Sequence, residues 1–375
     1  MKRVLALLGV LCLLVVPVRG TDLAVEAESC ILMEKATGQV LYAENEHEQL
    51  EPASVTKIMT ILLVMEAIDS GSLSRDDLVT VSAYAASMGG SQVYLKEGEQ
   101  MTVNDLLKAV AVASGNDASV ALAEHLCGSE EAFVAKMNER AAQLGMTDTC
   151  FVNCTGLPAA GHLTSAYDIA LMSRELILNH PSIRDYTTIW MDSLRGGQFQ
   201  LANTNKLIRF YEGATGLKTG STDAAGYCLS ATAERDGMEL IAVILKSPTK
   251  DTRTAAAQTL LNYGFANYTL MDVYPSQALP PVDVLLGEQE TVQPVLSQPT
   301  RILVNRSMVN QVETQLDLCQ DVEAPVEAGQ TLGRMTVSAG GQALAQIPIV
   351  ADQAVARLSA PGIFLRLVRT LLMAG

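Results

Sequence analysis

The spacing of apolar positions changes along the chain, and the changes divide it. In CILMEKATGQVLYAEN (30–45) two short apolar stretches flank Thr37-Gly38, which predicts two strands around a turn. After Ser54 the period lengthens. Ile58, Leu62 and Met65, and beside them Met59, Leu63 and Glu66, recur three or four residues apart, which predicts a helix closing at Gly71. Thr102 with Asp105 has the form of a capping box and opens a helix to about Ala113. Further helices are predicted from near Asp117 to Gly128, from Ser129 to Gly145, and from Ser165 to about Asn179. The pattern then returns to strands. GLKTGS precedes a turn, and YCLSATAE and ELIAVIL flank Arg235-Asp236-Gly237 as a hairpin. A helix from about Thr252 to Tyr263 closes at Gly264. Strands first and last with a helical block between them predict an α+β fold, in which helices cover an antiparallel sheet.

Two further segments have different patterns. YPSQALPP, from Tyr274, reads as a linker, and the short Gly-, Pro- and Gln-punctuated strands beyond it predict a small all-β domain. The expected boundaries are 24–270 for the α+β domain and 275–358 for the β domain, with an amphipathic helix over 359–375. In that tail Phe364, Leu367, Val368, Leu371 and Leu372 share one stripe, and Arg366, Arg369 and Thr370 fall largely off it. Such a helix is expected to lie in a membrane interface with its arginines at anionic headgroups. The alternative is a helix docked on the β domain. At the other end, Lys2 and Arg3 precede an apolar run from Val4 to Val16, with Val18 and Gly20 small enough for cleavage after Gly20. Residues 1–20 therefore read as a signal peptide. A retained anchor is the alternative, but the run is short for a span. Cys12 lacks a lipobox. The expected location is extracytoplasmic, peripheral on the outer face of the cell membrane.

Composition narrows the chemistry. The chain has 375 residues, with 26 basic and 41 acidic side chains and a net charge of −15. Nothing in that balance attracts nucleic acid. Once the signal is removed, Cys30, Cys127, Cys150, Cys154, Cys228 and Cys319 remain, singly placed, as are His47, His125, His162 and His180. Metal sites need ligands at paired spacing, so neither a metal nor another cofactor is expected. A Cys150–Cys154 disulfide and buried free thiols both stay open.

Three motifs carry the candidate chemistry: Ser54 and Lys57 three apart, Ser114-Gly115-Asn116 between two predicted helices, and Lys218-Thr219-Gly220 on a predicted strand. Ser-x-x-Lys alone is weak, and a helix cap with a solvated lysine explains it. The three in this order and context match the motif set of β-lactamases and penicillin-binding proteins. A serine hydroxyl becomes a nucleophile only when a base takes its proton. Positions i and i+3 share a helix face, so Lys57 can reach Ser54. A lysine acts as base once burial and a second cation, here Lys218, lower its pKa. The Ser54 N–H at a helix start can bind an oxyanion. Ser114 can relay a proton to the leaving group, and Asn116 can hold a peptide-like backbone. Lys218 and Thr219 can bind a carboxylate, and Gly220 can let substrate approach the strand edge.

The versions ASVTKIMT, ASGNDAS, GLKTGST and AGYCLSATA resemble those of low-molecular-mass penicillin-binding proteins that act as D-alanyl-D-alanine carboxypeptidases (peptidase family S11), close to those of Gram-positive spore formers. The resemblance covers nearly the whole chain. It implies a transpeptidase-like α+β domain, a β domain and an amphipathic anchor. It also implies removal of the terminal D-alanine from peptidoglycan stem pentapeptides through a seryl acyl-enzyme, with β-lactam antibiotics as covalent inhibitors. By the same resemblance Ser221 supplies the second oxyanion N–H, and Arg253 lies near the substrate carboxylate unless it forms a surface ion pair. Ser221 stands where some relatives have histidine.

Other readings are a β-lactamase and a non-catalytic binding protein of the same fold. ELILN (175–179) imitates the β-lactamase loop that carries a deacylating glutamate, but it falls within a helical pattern. His162 and Asp168 read as structural.

Overall fold

The computed structural model describes residues 23–297 and 300–373; the predicted signal segment, residues 1–20, lies outside them, as do the side chains of Arg369, Thr370 and Leu371 in the tail. The chain forms two compact units, one of residues up to 235 with 239–262, the other of residues 236–238 and those from 263 onward.

The first unit is built on a five-stranded sheet in the order Val40–Glu44, Ser29–Glu34, Met238–Ser247, Gly226–Arg235, Ala214–Thr222. Ser29–Glu34 runs antiparallel to both its neighbours, with Cys30 facing Glu44 on one side and Ile244 on the other. Ala214–Thr222 is an edge strand, antiparallel to Gly226–Arg235, with Lys218 facing Ser230 and Gly220 facing Cys228. The helical block lies between the second and third of these strands in sequence: Val103–Ala113, Asn116–Cys127, Glu130–Gln143 and Ala166–Asn179 follow the helix Lys57–Asp69. The capping signals hold. Thr102, Ser129 and Ser165 each accept a hydrogen bond from the backbone N–H three residues on.

Four features differ from the expectations. The α-helix begins at Lys57, because Ala53–Thr56 forms a 3₁₀ turn first. From Ile58 to Met65 that helix is apolar but for Thr60 and lies in the core, all eight residues buried, while Glu66 and Asp69 reach its partly exposed end. Two small hairpins, Leu78–Thr80 with Gln100–Thr102 and Met191–Leu194 with Phe199–Ala202, interrupt the helical block. The helix after the central sheet, Lys250–Asn267, runs through Gly264 rather than ending there.

In the second unit, Tyr268–Asp272 pairs with Arg301–Asn305, so the division falls ahead of the Tyr274 linker. A three-stranded sheet centres on Val282–Leu285. A four-stranded sheet orders as Pro294–Leu296, Gln342–Ala351, Thr331–Ala339, Val312–Leu318. The helix Ala360–Met373 follows, and it leaves Phe364, Leu365, Leu367 and Leu372 exposed. Among the described residues no helix is long and apolar enough to cross a membrane.

Candidate active site

Ser54 lies in the 3₁₀ turn, and its side chain caps neither that turn nor the helix after it. Instead its hydroxyl receives a 2.8 Å hydrogen bond from Lys57 Nζ. The same Nζ donates to the Thr155 carbonyl at 2.6 Å. Lys57 is wholly buried, and burial pushes its pKa down to about 7, with Cys154 and Asp117 opposing. A neutral amine is therefore accessible at physiological pH, 2.8 Å from the oxygen it would deprotonate. The turn is shaped by its neighbours. Ala53 has a positive φ of 48°, and a Cβ on Gly156 would come within 1.8 Å of the Ala53 carbonyl. Thr56 Oγ1 donates to that carbonyl, and His162 Nε2 lies 2.8 Å from Thr56 Oγ1. Because His162 Nδ1 accepts the Val152 N–H, Nε2 carries the proton and donates to Thr56. Burial pushes His162 down to about 4, so it is a neutral brace.

Ser114 ends the helix Val103–Ala113 in the left-handed region, at φ 64°. Such a conformation costs about 1–3 kcal/mol for a non-glycine residue and persists where its surroundings demand it. Asn116 begins the next helix, and its amide donates to the Gly89 carbonyl. Its own side-chain oxygen is buried with no partner among the described residues. Asp117 fixes the preceding loop by accepting from Val93 and Leu95 N–H groups. Both helices pack on the Lys57 helix.

The edge strand closes the other side. A Cβ on Gly220 would lie 2.8 Å from the Pro52 carbonyl and 2.9 Å from Ser54 N. This glycine thus permits the close approach of the strand to the serine turn. Lys218 is fully buried and donates to the Thr219 carbonyl. Burial lowers its pKa far, and the charges of Lys57 and Arg253 lower it further. Burial is thus the largest cause of the lowering at both lysines, and the two ammonium groups disfavour each other's charge. Thr219 donates to Thr204 Oγ1 at 2.7 Å, and Ser221 is exposed. Arg253 is 7% exposed and forms no ion pair among the described residues, unlike the surface pairing considered for it. It donates to the Cys228 carbonyl, lies 6.0 Å from the Tyr227 ring centroid, and keeps a buried Nε with no partner among the described residues.

The sequence did not single out Thr155, Gly156 or Thr204. Thr155 and Thr204 contribute a backbone carbonyl and a second-rank hydroxyl, which leave no side-chain signature. Gly156 is visible only once Ala53 is known to lie against it. The six described cysteines are free, with Cys150 exposed and Cys154 buried. Glu175, in the loop look-alike, lies inside Ala166–Asn179 and pairs with Arg140 at 2.6 Å. Glu66, Glu175 and His180 are close enough to share an ion, but Arg140 already supplies positive charge to both carboxylates.

The sequence profile of the D-alanyl-D-alanine carboxypeptidase family matches residues 17–249, and that of the penicillin-binding protein 5 C-terminal domain matches 271–357. The chain belongs to the D-alanyl-D-alanine carboxypeptidase family. It is 43% identical to the D-alanyl-D-alanine carboxypeptidase DacF of Bacillus subtilis over 94% of both chains. Crystal structures of penicillin-binding protein 5 from Haemophilus influenzae superpose with a TM-score of 0.83 at 29% identity, over 90% of this chain and all of that one. Penicillin-binding protein D2 from Listeria monocytogenes, in an ampicillin-bound form, matches with a TM-score of 0.58 at 33% identity, over 65% of this chain and all of that one.

Proposed function

We propose that this D-alanyl-D-alanine carboxypeptidase uses Ser54 as nucleophile and Lys57 as base to remove the terminal D-alanine of peptidoglycan stem pentapeptides. The observation that carries this reading is the 2.8 Å contact between Ser54 Oγ and a buried Lys57 whose pKa lies at about 7. Neutral Lys57 takes the Ser54 proton as Oγ attacks the carbonyl carbon of the penultimate D-alanine. The carbonyl oxygen becomes an oxyanion held by the N–H groups of Ser54 and Ser221. The tetrahedral intermediate collapses, the C–N bond breaks, and the proton passes through the Ser114 hydroxyl to the departing amine. Water, deprotonated by Lys57, then attacks the ester, and Ser54 regains its proton.

Lys218, Thr219 and Arg253 hold the substrate's terminal carboxylate. Neither Lys218 nor Arg253 forms an ion pair among the described residues, so an incoming carboxylate favours the charge that burial disfavours. Asn116 holds the peptide backbone through its unpartnered amide oxygen. Incubation with diacetyl-Lys-D-Ala-D-Ala, with assay of free D-alanine, tests the reaction. No release from a preparation that still forms a covalent penicillin adduct would sink it. Penicillin should deacylate slowly, since Glu175 is inside a helix and paired with Arg140; rapid turnover would favour the β-lactamase reading.

The protein is exported and rests on the outer face of the cell membrane. The basic and apolar N-terminal run supports export. The exposed stripe of Phe364, Leu367, Val368 and Leu372 supports interfacial seating. Deleting 359–375 should move the mature protein to the soluble fraction; a truncated form that still sediments with membranes would place the anchor elsewhere.

A further inference from the structure

A cavity of about 310 Å³ opens beside the serine turn, lined by Glu51, Ala53, Leu157, Pro158, His162 and Thr222 among others. It shares Ala53 with the turn that carries Ser54, and Thr222 with the strand that carries Lys218 and Thr219. The reaction as written above does not use it.

Its position follows from the edge strand. An extended peptide beside a strand advances about 3.3 Å per residue, in step with it. On the carboxypeptidase reading, on which this inference rests, the terminal carboxylate sits at Lys218 and Thr219 and the scissile carbonyl beside Ser221. The residue that precedes the two D-alanines then falls beside Thr222, at the cavity. The wall from Leu157 to Ala160 is apolar and suits methylene groups. The charged group in the lining is Glu51. It makes no side-chain hydrogen bond or ion pair among the described residues. Lys246 feels the charge of Glu51 but bonds Glu28 at 2.8 Å. His162, also in the wall, is neutral at working pH and offers no competing cation. Asp223 is exposed between the lining residues Thr222 and Ala224 and adds to the negative rim.

We propose that this cavity is a subsite for the third residue of the stem peptide, with Glu51 receiving the free ammonium of a diamino-acid side chain. The enzyme then prefers stem peptides whose side-chain amine is unmodified.

The test compares Nα-acetyl-Lys-D-Ala-D-Ala, with a free ε-ammonium, against its diacetyl counterpart, in the full chain and in Glu51→Gln. The readout is the ratio of kcat/KM for the two peptides. Benzylpenicillin labelling, followed by intact mass, reports acylation separately. The parent should favour the ammonium peptide about tenfold, the size of one charge-assisted hydrogen bond, and the preference should shrink as salt is raised. In Glu51→Gln the ratio should fall towards one. A parental ratio near one, or a ratio unchanged in Glu51→Gln, overturns the subsite while leaving the carboxypeptidase reading intact. Penicillin labelling without D-alanine release from either peptide overturns both. If Glu51→Gln does not fold, the parental ratio and its salt dependence decide alone.

Discussion

The interiors of the two units differ in kind. The first buries Lys57, Lys218, Arg253, Asn116, Asp117 and Asp168 among its apolar side chains. Among the described residues, the second buries no charged or hydrogen-bonding side chain beyond a tyrosine; its two clusters are made of residues such as Val282, Val284, Met335, Val337 and Ile349. An unpaired buried charge costs several kcal/mol, so a fold keeps one only where something else requires it. The first unit has the means to bear that cost, since a continuous core surrounds the helix Lys57–Asp69. Buried charge is thus kept in the unit with enough apolar packing to hold groups away from water, and among the described residues the interior of the second unit carries none.

The largest effects should come from removing those groups. Ser54→Ala should abolish D-alanine release and the penicillin adduct, a loss of roughly four to six orders of magnitude in rate, as for other cooperative nucleophile sites. Lys57→Met should do nearly the same while filling the space with an apolar chain. Intact-mass measurement of the penicilloyl adduct checks both. A Lys57→Met protein that acylates at the parental rate would remove the base from the mechanism.

The pH dependence sharpens the contrast next. With Lys57 at about 7, acylation should fall close to tenfold per pH unit below 7 and level off above it. Folding responds in the same region. The unfolded chain holds the lysine proton up to its ordinary value of 10.5, whereas the folded chain releases it at about 7. Between those values the unfolded state binds more protons, so the parent should gain stability as pH rises, and Lys57→Met should lose that part of the slope. Matched denaturant titrations at pH 7 and 9 measure it; equal slopes in both proteins would deny that the lysine is the source.

Carboxylate binding should give a smaller change. Thr219 Oγ1 donates to Thr204 Oγ1 at 2.7 Å; to bond a carboxylate, which only accepts, it turns that proton to the ligand and accepts from the Thr204 hydroxyl instead. Thr219→Val should raise KM for the diacetyl peptide about tenfold, the worth of one hydrogen bond to a charged group, with a lesser change in kcat. A drop in kcat alone would assign Thr219 to the chemical step.

How much of this was legible depends on what carries the signal. Local caps were readable, because Thr102, Ser129 and Ser165 each act within three residues. The strands of the central sheet were readable from their apolar runs. The serine and lysine were readable as a pair, although no local pattern signalled the 3₁₀ turn that places Ser54 ahead of the helix. What could not be read is non-local. The acceptor of Lys57 is a backbone carbonyl 98 residues away, at Thr155. The neighbour that demands Gly220 is the turn at Pro52 and Ser54. The pairing of Tyr268–Asp272 with Arg301–Asn305 places a strand ahead of the proline-rich segment that had looked like the boundary.

The smallest effect tests whether the two interiors are independent as well as different. Ile349 is fully buried in the apolar cluster of the second unit, on the strand Gln342–Ala351. Ile349→Val removes one methylene and leaves a small void, which should cost about 0.5–1.5 kcal/mol. A chain of two units need not unfold in one step, so the loss is best read locally, as faster amide exchange across that strand and its partner Thr331–Ala339. The substitution touches no polar group and leaves every residue around Ser54 in place. Penicillin acylation and D-alanine release from a small peptide should therefore match the parent while exchange in the strand pair accelerates. A fall in acylation that tracked the exchange would mean that the second interior supports the geometry of the first, and that the separation of chemistry from packing drawn above does not hold.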